Sequence, residues 1–280
     1  MNEEQNRLWN GVSGRAWVDS VALLDRVFQP FEDVLARQIQ PGAELRVLDV
    51  GCGTGAVTRA VARRLGPAGA ALGVDLSQPM IDAARTRAAQ DGSSATFVCA
   101  DVQTHDFDAA AFERILSRFG VMFFDDPVQA FTNLRRAASP GAELLAFAWR
   151  SPEQNPFMTA AERAAAPLLP HLPARVPGAP GQFAFEAGPR VEQILEQSGW
   201  HDIDVRPSDV ACAFPQSELV HYFTRLGPLA RVLPELDEPT RAAVIAAVQP
   251  AFDAYTRDGE VRFTAACWLI GARAPKPASR

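Results

Sequence analysis

The side chains most able to do chemistry in this chain gather in LRVLDVGCGTGAVTRA, where Gly51, Gly53 and Gly55 follow the acid Asp49. Glycine-rich turns between a strand and a helix commonly hold phosphates on backbone amides. The string from Gly51 to Ala56 also satisfies the GxGxxA variant of the dinucleotide fingerprint. Asp49 argues the other way. Facing a pyrophosphate at ~4 Å, its carboxylate would cost about 4 kcal/mol at an effective dielectric near 20. A ligand carrying an ammonium and a sulfonium reverses that sign, and Asp75, ending the next apolar run, suits the ribose hydroxyls of any adenosine. S-adenosylmethionine combines these features. A reading in which Asp49 only bonds turn amides leaves a dinucleotide open.

Beyond the loop, His221 lies beside Tyr222 and Phe223 in a helical stretch where a lid would be expected, and is a candidate general base. His171 and His201 carry no such context. Asp125-Asp126-Pro127 reads as a helix cap before a proline rather than a metal pair, because adjacent side chains point apart. The four cysteines are scattered, without CxxC or Cys/His ligand spacing, so no metal is expected. Phe119, Phe123 and Trp149 fall at or just after strand ends, where parallel sheets bind ligands, and point to an apolar or aromatic substrate.

The elements that must position these residues follow from hydrophobic period. Strand-like runs alternate with helical ones: LRVLDV, a helix after the glycines, ALGVD, PMIDAARTRAAQ behind a Ser77 cap, ATFVCAD, ERILSRFG, PVQAFTNLRRAA and ELLAFAWR. That rhythm predicts an α/β fold, a doubly wound and mostly parallel sheet covered on both faces. We divide the single domain into an N-terminal helical cap (1–42), a cofactor-binding core (43–150), a proline-rich insertion (151–188), further core (189–214), a helical lid insertion (215–259) and a last core strand (260–275).

Composition narrows the partners. With 280 residues, 48% hydrophobic and 21% charged, the chain has the makeup of an ordinary globular domain. A net charge of -6 without any Lys/Arg run argues against nucleic acid. The acidic start MNEEQNRLWNG differs from a signal peptide and no apolar stretch reaches membrane-span length, so we expect a cytoplasmic protein with a small-molecule substrate.

The motifs together resemble the class I S-adenosylmethionine-dependent methyltransferases, in the bacterial small-molecule branch related to the ubiquinone/menaquinone C-methyltransferases. LRVLDVGCGTG resembles the first motif, GVDLSQPMIDAAR the second-strand acid and its helix, and CADVQTHDF the adenine-side acidic motif. RILSRFGVMFFDDPVQAFTNLRRAASPGAELLAFAW resembles the fourth strand, following helix and fifth strand. The resemblance spans roughly residues 5 to 275 and implies a Rossmann-like, seven-stranded sheet. It implies Gly51, Gly53 and Gly55 against the methionine part, Asp49 on its ammonium side, and Asp75 on the ribose. Leu76 and Met80 would flank the adenine, Asp101 and the Val102 amide would read its edge, and Ser117 would line the methionine end through its backbone. Met80 as plain core and Ser117 as a plain strand end remain alternatives. His105 resembles a position that relatives often fill similarly and is a second candidate base. Trp9 and Trp17 resemble the segment that folds over the cofactor. The expected activity is metal-independent methyl transfer to O, N or C of a small aromatic or apolar metabolite. The alternatives are a protein that binds S-adenosylmethionine without transferring methyl, or a dinucleotide-dependent oxidoreductase.

Overall fold

The computed structural model describes residues 3–172 and 175–276. Pro173 of the proline-rich insertion and the first two residues of the cap lie outside them. Among the described residues eight strands form one sheet: β1 (Arg46–Val50), β2 (Ala70–Asp75), β3 (Thr96–Cys99), β4 (Phe112–Arg118), β5 (Ala138–Trp149), β6 (His201–Pro215), β7 (Thr256–Arg257) and β8 (Glu260–Arg273). Their order is β3-β2-β1-β4-β5-β8-β6, with β7 paired to β8. β1 to β5 run parallel and β8 is antiparallel to β5 and β6. The α/β, mostly parallel expectation is borne out. The eighth strand is a correction: Thr256 and Arg257 fall in a stretch read as helical, but Asp258 and Gly259, both with positive φ, turn the chain into a hairpin with β8.

Strand order explains where the site must lie. From β1 the chain builds outward through β2 and β3, then returns to place β4 and β5 on the other side. Right-handed crossovers built in opposite directions put their helices on opposite faces. Thus α4 (Ala56–Ala62) and α5 (Gln78–Asp91) cover one face and α6 (Pro127–Ala137) the other. The crevice opens between the carboxyl ends of β1 and β4, where the order reverses.

The N-terminal helical run is three helices, α1 (Glu3–Asn10), α2 (Val12–Asp19) and α3 (Val21–Ala36). Apolar residues of α3 at helical spacing, Leu24, Val27, Phe28, Phe31 and Leu35, are all buried. The proline-rich stretch contains one short helix, α7 (Ala160–Ala165), before α8 (Gly188–Gln197) rejoins the sheet. The helical insertion holds α9 (Leu219–Arg225), α10 (Leu229–Val232) and α11 (Glu238–Val248). Among the described residues no helix is long and apolar enough to cross a membrane.

Candidate active site

β1 hands its last residues to a turn in which Gly51, Gly53 and Gly55 all have positive φ, a region that L side chains enter only with strain. Gly51 has a second reason to lack a side chain: a Cβ there would fall 2.5 Å from the Gly120 Cα. Gly53 faces Met80 and Trp17. Its amide donates to Asp75 Oδ2 at 2.8 Å, and the Ser77 amide donates to Asp75 Oδ1 at 2.9 Å. So the carboxylate that bonds turn amides is Asp75, not Asp49. A carboxylate has about four acceptor sites, so hydroxyls can still join. Burial raises the Asp75 pKa, and these amides pull against that rise.

At the neighbouring strand ends, Asp101 is held by Gln103, whose backbone amide donates to Oδ1 at 2.9 Å. The Val102 side chain is buried, and its carbonyl accepts from Asn133 Nδ2 at 2.8 Å. Leu76 is half-buried, and its carbonyl accepts from Asn10 Nδ2 at 3.1 Å. Met80 is buried on α5 next to Gly53. Asp75, Leu76, Met80, Asp101 and Val102 therefore share the β2–β3 side of the crevice.

The β1–β4 side is built differently. Asp49 is 2% exposed and accepts from Thr58 Oγ1 at Oδ2, 2.6 Å away, while its Oδ1 is buried with no partner among the described residues. Desolvation pushes its pKa up to about 6, against the Thr58 bond and the charge of Arg118. Asp49 registers with Leu116 on β4, so Arg118, two residues further, projects from the same face. Arg118 lies over the Phe28 ring, 5.4 Å from its centroid, and its Nη1 is also buried without a partner. Ser117 points the other way: its fully buried hydroxyl donates to the Val50 carbonyl at 2.8 Å and accepts from the Gly120 amide at 3.1 Å. That side chain fastens β4 to the glycine turn.

Phe119, next in line, adopts a φ of 67°, a left-handed conformation rare for a bulky residue. Stacking against Trp149, with centroids 4.6 Å apart, holds it there. Phe28 links that pair to Trp17, which meets Trp9 edge-on, and Trp9 meets Phe123 edge-on. Trp9, Trp17, Phe119, Phe123 and Trp149 thus form one aromatic cluster. Phe28, an apolar residue of α3, joins its two halves.

The cap is tied down across the crevice. Asn10 donates to the Leu76 carbonyl and accepts from the Gln78 amide at 2.8 Å, and Ser77 Oγ donates to the Trp9 carbonyl at 2.6 Å. Behind the turn, Arg87 pairs with Asp25 of α3 and donates to the Thr54 carbonyl at 3.0 Å. His221 Nε2 lies 2.9 Å from Ser20 Oγ, bridging α9 to the start of α3. His105 is not brought to the aromatic cluster. Its ring packs on Phe107, which meets Phe112 at the amino end of β4, the end away from Ser117. Asp126 caps α6 by accepting from the Gln129 amide at 2.9 Å. Among the described residues no group of three or more His, Cys, Asp or Glu could hold a metal ion.

Residues 47–141, the segment holding both halves of this crevice, match the family described as a methyltransferase domain. Over this segment the chain is similar to the class I S-adenosylmethionine-dependent methyltransferases. Nocamycin O-methyltransferase of Saccharothrix syringae is 28% identical, over 79% of this chain and 81% of its own length. Aklanonic acid methyltransferase of Streptomyces sp. (strain C5) is 28% identical over 57% and 76% respectively. A ubiquinone/menaquinone biosynthesis C-methyltransferase of Ralstonia pickettii is 25% identical over 65% and 76%. Among solved structures, the YcgJ protein of Bacillus subtilis shares the fold, with a TM-score of 0.57 at 15% identity over 88% of this chain and 98% of that chain.

The residues present fit the cofactor. A buried carboxylate oxygen without a partner suits an ammonium, and the amide-rich glycine turn and acids at successive strand ends suit the rest. Sequence reasoning missed Thr58, Arg87, Arg118, Phe28 and Gly120. The signal for Arg118 was in view: a lone charge between Ser117 and Phe119 at the end of an apolar strand.

Proposed function

We propose that the chain works as one domain that transfers methyl from S-adenosylmethionine to O, N or C of a small aromatic or apolar metabolite. The observation carrying this reading is the aromatic cluster beside Asp49 and the glycine turn, centred on the Phe119–Trp149 stack. The names of the relatives from Saccharothrix and Streptomyces, which specify small-molecule acceptors, support it. When bound, S-adenosylmethionine supplies an electrophilic methyl on a sulfonium that is already a good leaving group. The chain's own part is then to bind, orient and exclude water. Asp49 holds the ammonium, Asp75 takes the ribose hydroxyls, and Leu76, Met80, Asp101 and Val102 surround the adenine. Trp9, Trp17, Phe28, Phe119, Phe123 and Trp149 present a low-polarity wall to the acceptor. His221, engaged by Ser20, holds the cap to the helical insertion rather than moving a proton.

The test is incubation with isotopically labelled S-adenosylmethionine and a panel of aromatic, quinonoid and small charged acceptors, with methylated products read by mass spectrometry. Label transfer to the first two classes is expected. Transfer confined to small charged acceptors would overturn the acceptor class. Binding of cofactor with no transfer to any class would return the chain to a binding role.

A further inference from the structure

Two buried polar atoms without partners face the same end of the crevice from adjacent strands, Asp49 Oδ1 on β1 and Arg118 Nη1 on β4. One is an acceptor at the end of an acid and the other a donor at the end of a base. Each such group costs free energy when buried unpaired, and the cost is larger for charged groups. Glu32, Asp25 and Asp49 favour the Arg118 charge from a distance, but among the described residues none of them closes a hydrogen bond with its Nη1. Asp25 is paired with Arg87, and Glu32 lies 3.8 Å from Arg63. The Oδ2 of Asp49 is engaged by Thr58. The guanidinium carbon lies 5.4 Å from the Phe28 ring centroid, a contact that leaves Nη1 able to donate to a ligand.

We propose that Arg118 binds the carboxylate of the cofactor's amino-acid end, so that Arg118 and Asp49 together form a two-sided site for a zwitterion. This deepens the reading in which Asp49 meets the ammonium and rests on it. The guanidinium fork matches a carboxylate in two parallel hydrogen bonds, and its charge is not lost at any working pH. The ligand brings one positive and one negative group, so the pocket's net charge is unchanged while both orphaned atoms gain partners. An adenosine ligand with only the amine would satisfy Asp49 and leave Arg118 unpaired.

The experiment is calorimetric titration of the wild-type chain and Arg118→Gln with S-adenosylhomocysteine and with its decarboxylated analogue, which keeps the amine. The wild type is expected to prefer the carboxylate-bearing ligand by about 10- to 100-fold, the range of a charge-assisted pair. In Arg118→Gln that preference collapses to within a few-fold, with analogue affinity little changed. If the variant loses the same factor for both ligands, Arg118 is merely structural and the proposal falls. If Arg118→Gln does not fold, as thermal unfolding would show, Arg118→Lys carries the comparison. A several-fold drop in preference supports the fork, and an undiminished preference overturns it. Failure of the wild type to bind either ligand would instead sink the cofactor site as a whole.

Discussion

The two sides of the crevice solve the same problem in opposite ways. On the β2–β3 side, the acids are occupied by neighbours before any ligand arrives: Asp75 accepts from Gly53 and Ser77, and Asp101 from Gln103. On the β1–β4 side, Asp49 and Arg118 are each left with a buried atom unpaired. One side is self-satisfied and therefore fixed in shape, while the other holds electrostatic cost in reserve. On the proposed reading, rigidity for the adenosine and affinity for the charged amino-acid end come from different residues, so mutations should separate them.

The largest effect should fall on the pre-satisfied side. Asp75→Ala removes two backbone bonds of the turn together with the ribose acceptor, and S-adenosylhomocysteine binding should weaken by at least ~100-fold by calorimetry. Undiminished binding would break the comparison outright. On the reserve side, Asp49→Asn should weaken binding by about 10- to 100-fold and also change its pH response. In the free protein the Asp49 pKa is raised from 3.8 to about 6 by burial. An ammonium favours the ionised form, so wild-type affinity should fall as pH drops below about 6, while the Asn variant stays flat. Equal pH profiles would remove the ammonium from Asp49.

The same shift gives a stability signature of opposite sense. A carboxyl whose folded pKa lies above its unfolded value stabilises the fold while protonated, and that contribution disappears as pH rises from about 4 through about 6. Relative to the wild type, free Asp49→Asn should gain up to about 3 kcal/mol across that window, measured by denaturant titration at several pH values. A variant less stable than wild type at pH 7 would contradict the stored cost. Trp17→Ala should leave cofactor affinity within about tenfold but raise acceptor KM, because its edge-on contact with Trp9 and stacked contact with Phe28 are each worth about 1 kcal/mol. The smallest effect belongs to the cap fastening. Ser20→Ala and His221→Ala should each lower kcat only a few-fold and not additively, whereas a catalytic base would show a loss of ~100-fold in His221→Ala alone.

What could be read in the sequence divides along the same line. The β2–β3 side is made largely of contacts between near neighbours, Asp75 with Ser77 and Asp101 with Gln103; Asp75 was legible from its place at a strand end, and Asp101 through the resemblance to the family's acidic motif. Alternating periodicity likewise revealed the doubly wound sheet. The β1–β4 side depends on strand register: Asp49 and Arg118 project from the same face because β1 and β4 are adjacent, and Phe28 completes the aromatic cluster because α3 packs over their ends. His221 finds Ser20 across 201 residues of chain. None of these pairings has a local signature. His105 stood near an acidic motif in sequence yet turned toward Phe107, since a buried aromatic neighbour offers an imidazole more contact than an open crevice does.

Gly51 and Gly120 pass so closely that neither has room for a methyl group: a Cβ on Gly120 would lie 2.5 Å from the Val50 carbonyl oxygen and 2.7 Å from the Gly51 Cα. A Cβ on Gly42, by contrast, would meet nothing within 4 Å among the described residues. In a deep mutational scan, positions 51 and 120 should therefore go dark together even for alanine, though they belong to different motifs and only Gly51 requires an unusual backbone angle. The seam between the two halves of the fold would show up as a tolerance map with one paired blind spot, drawn by backbone contact alone.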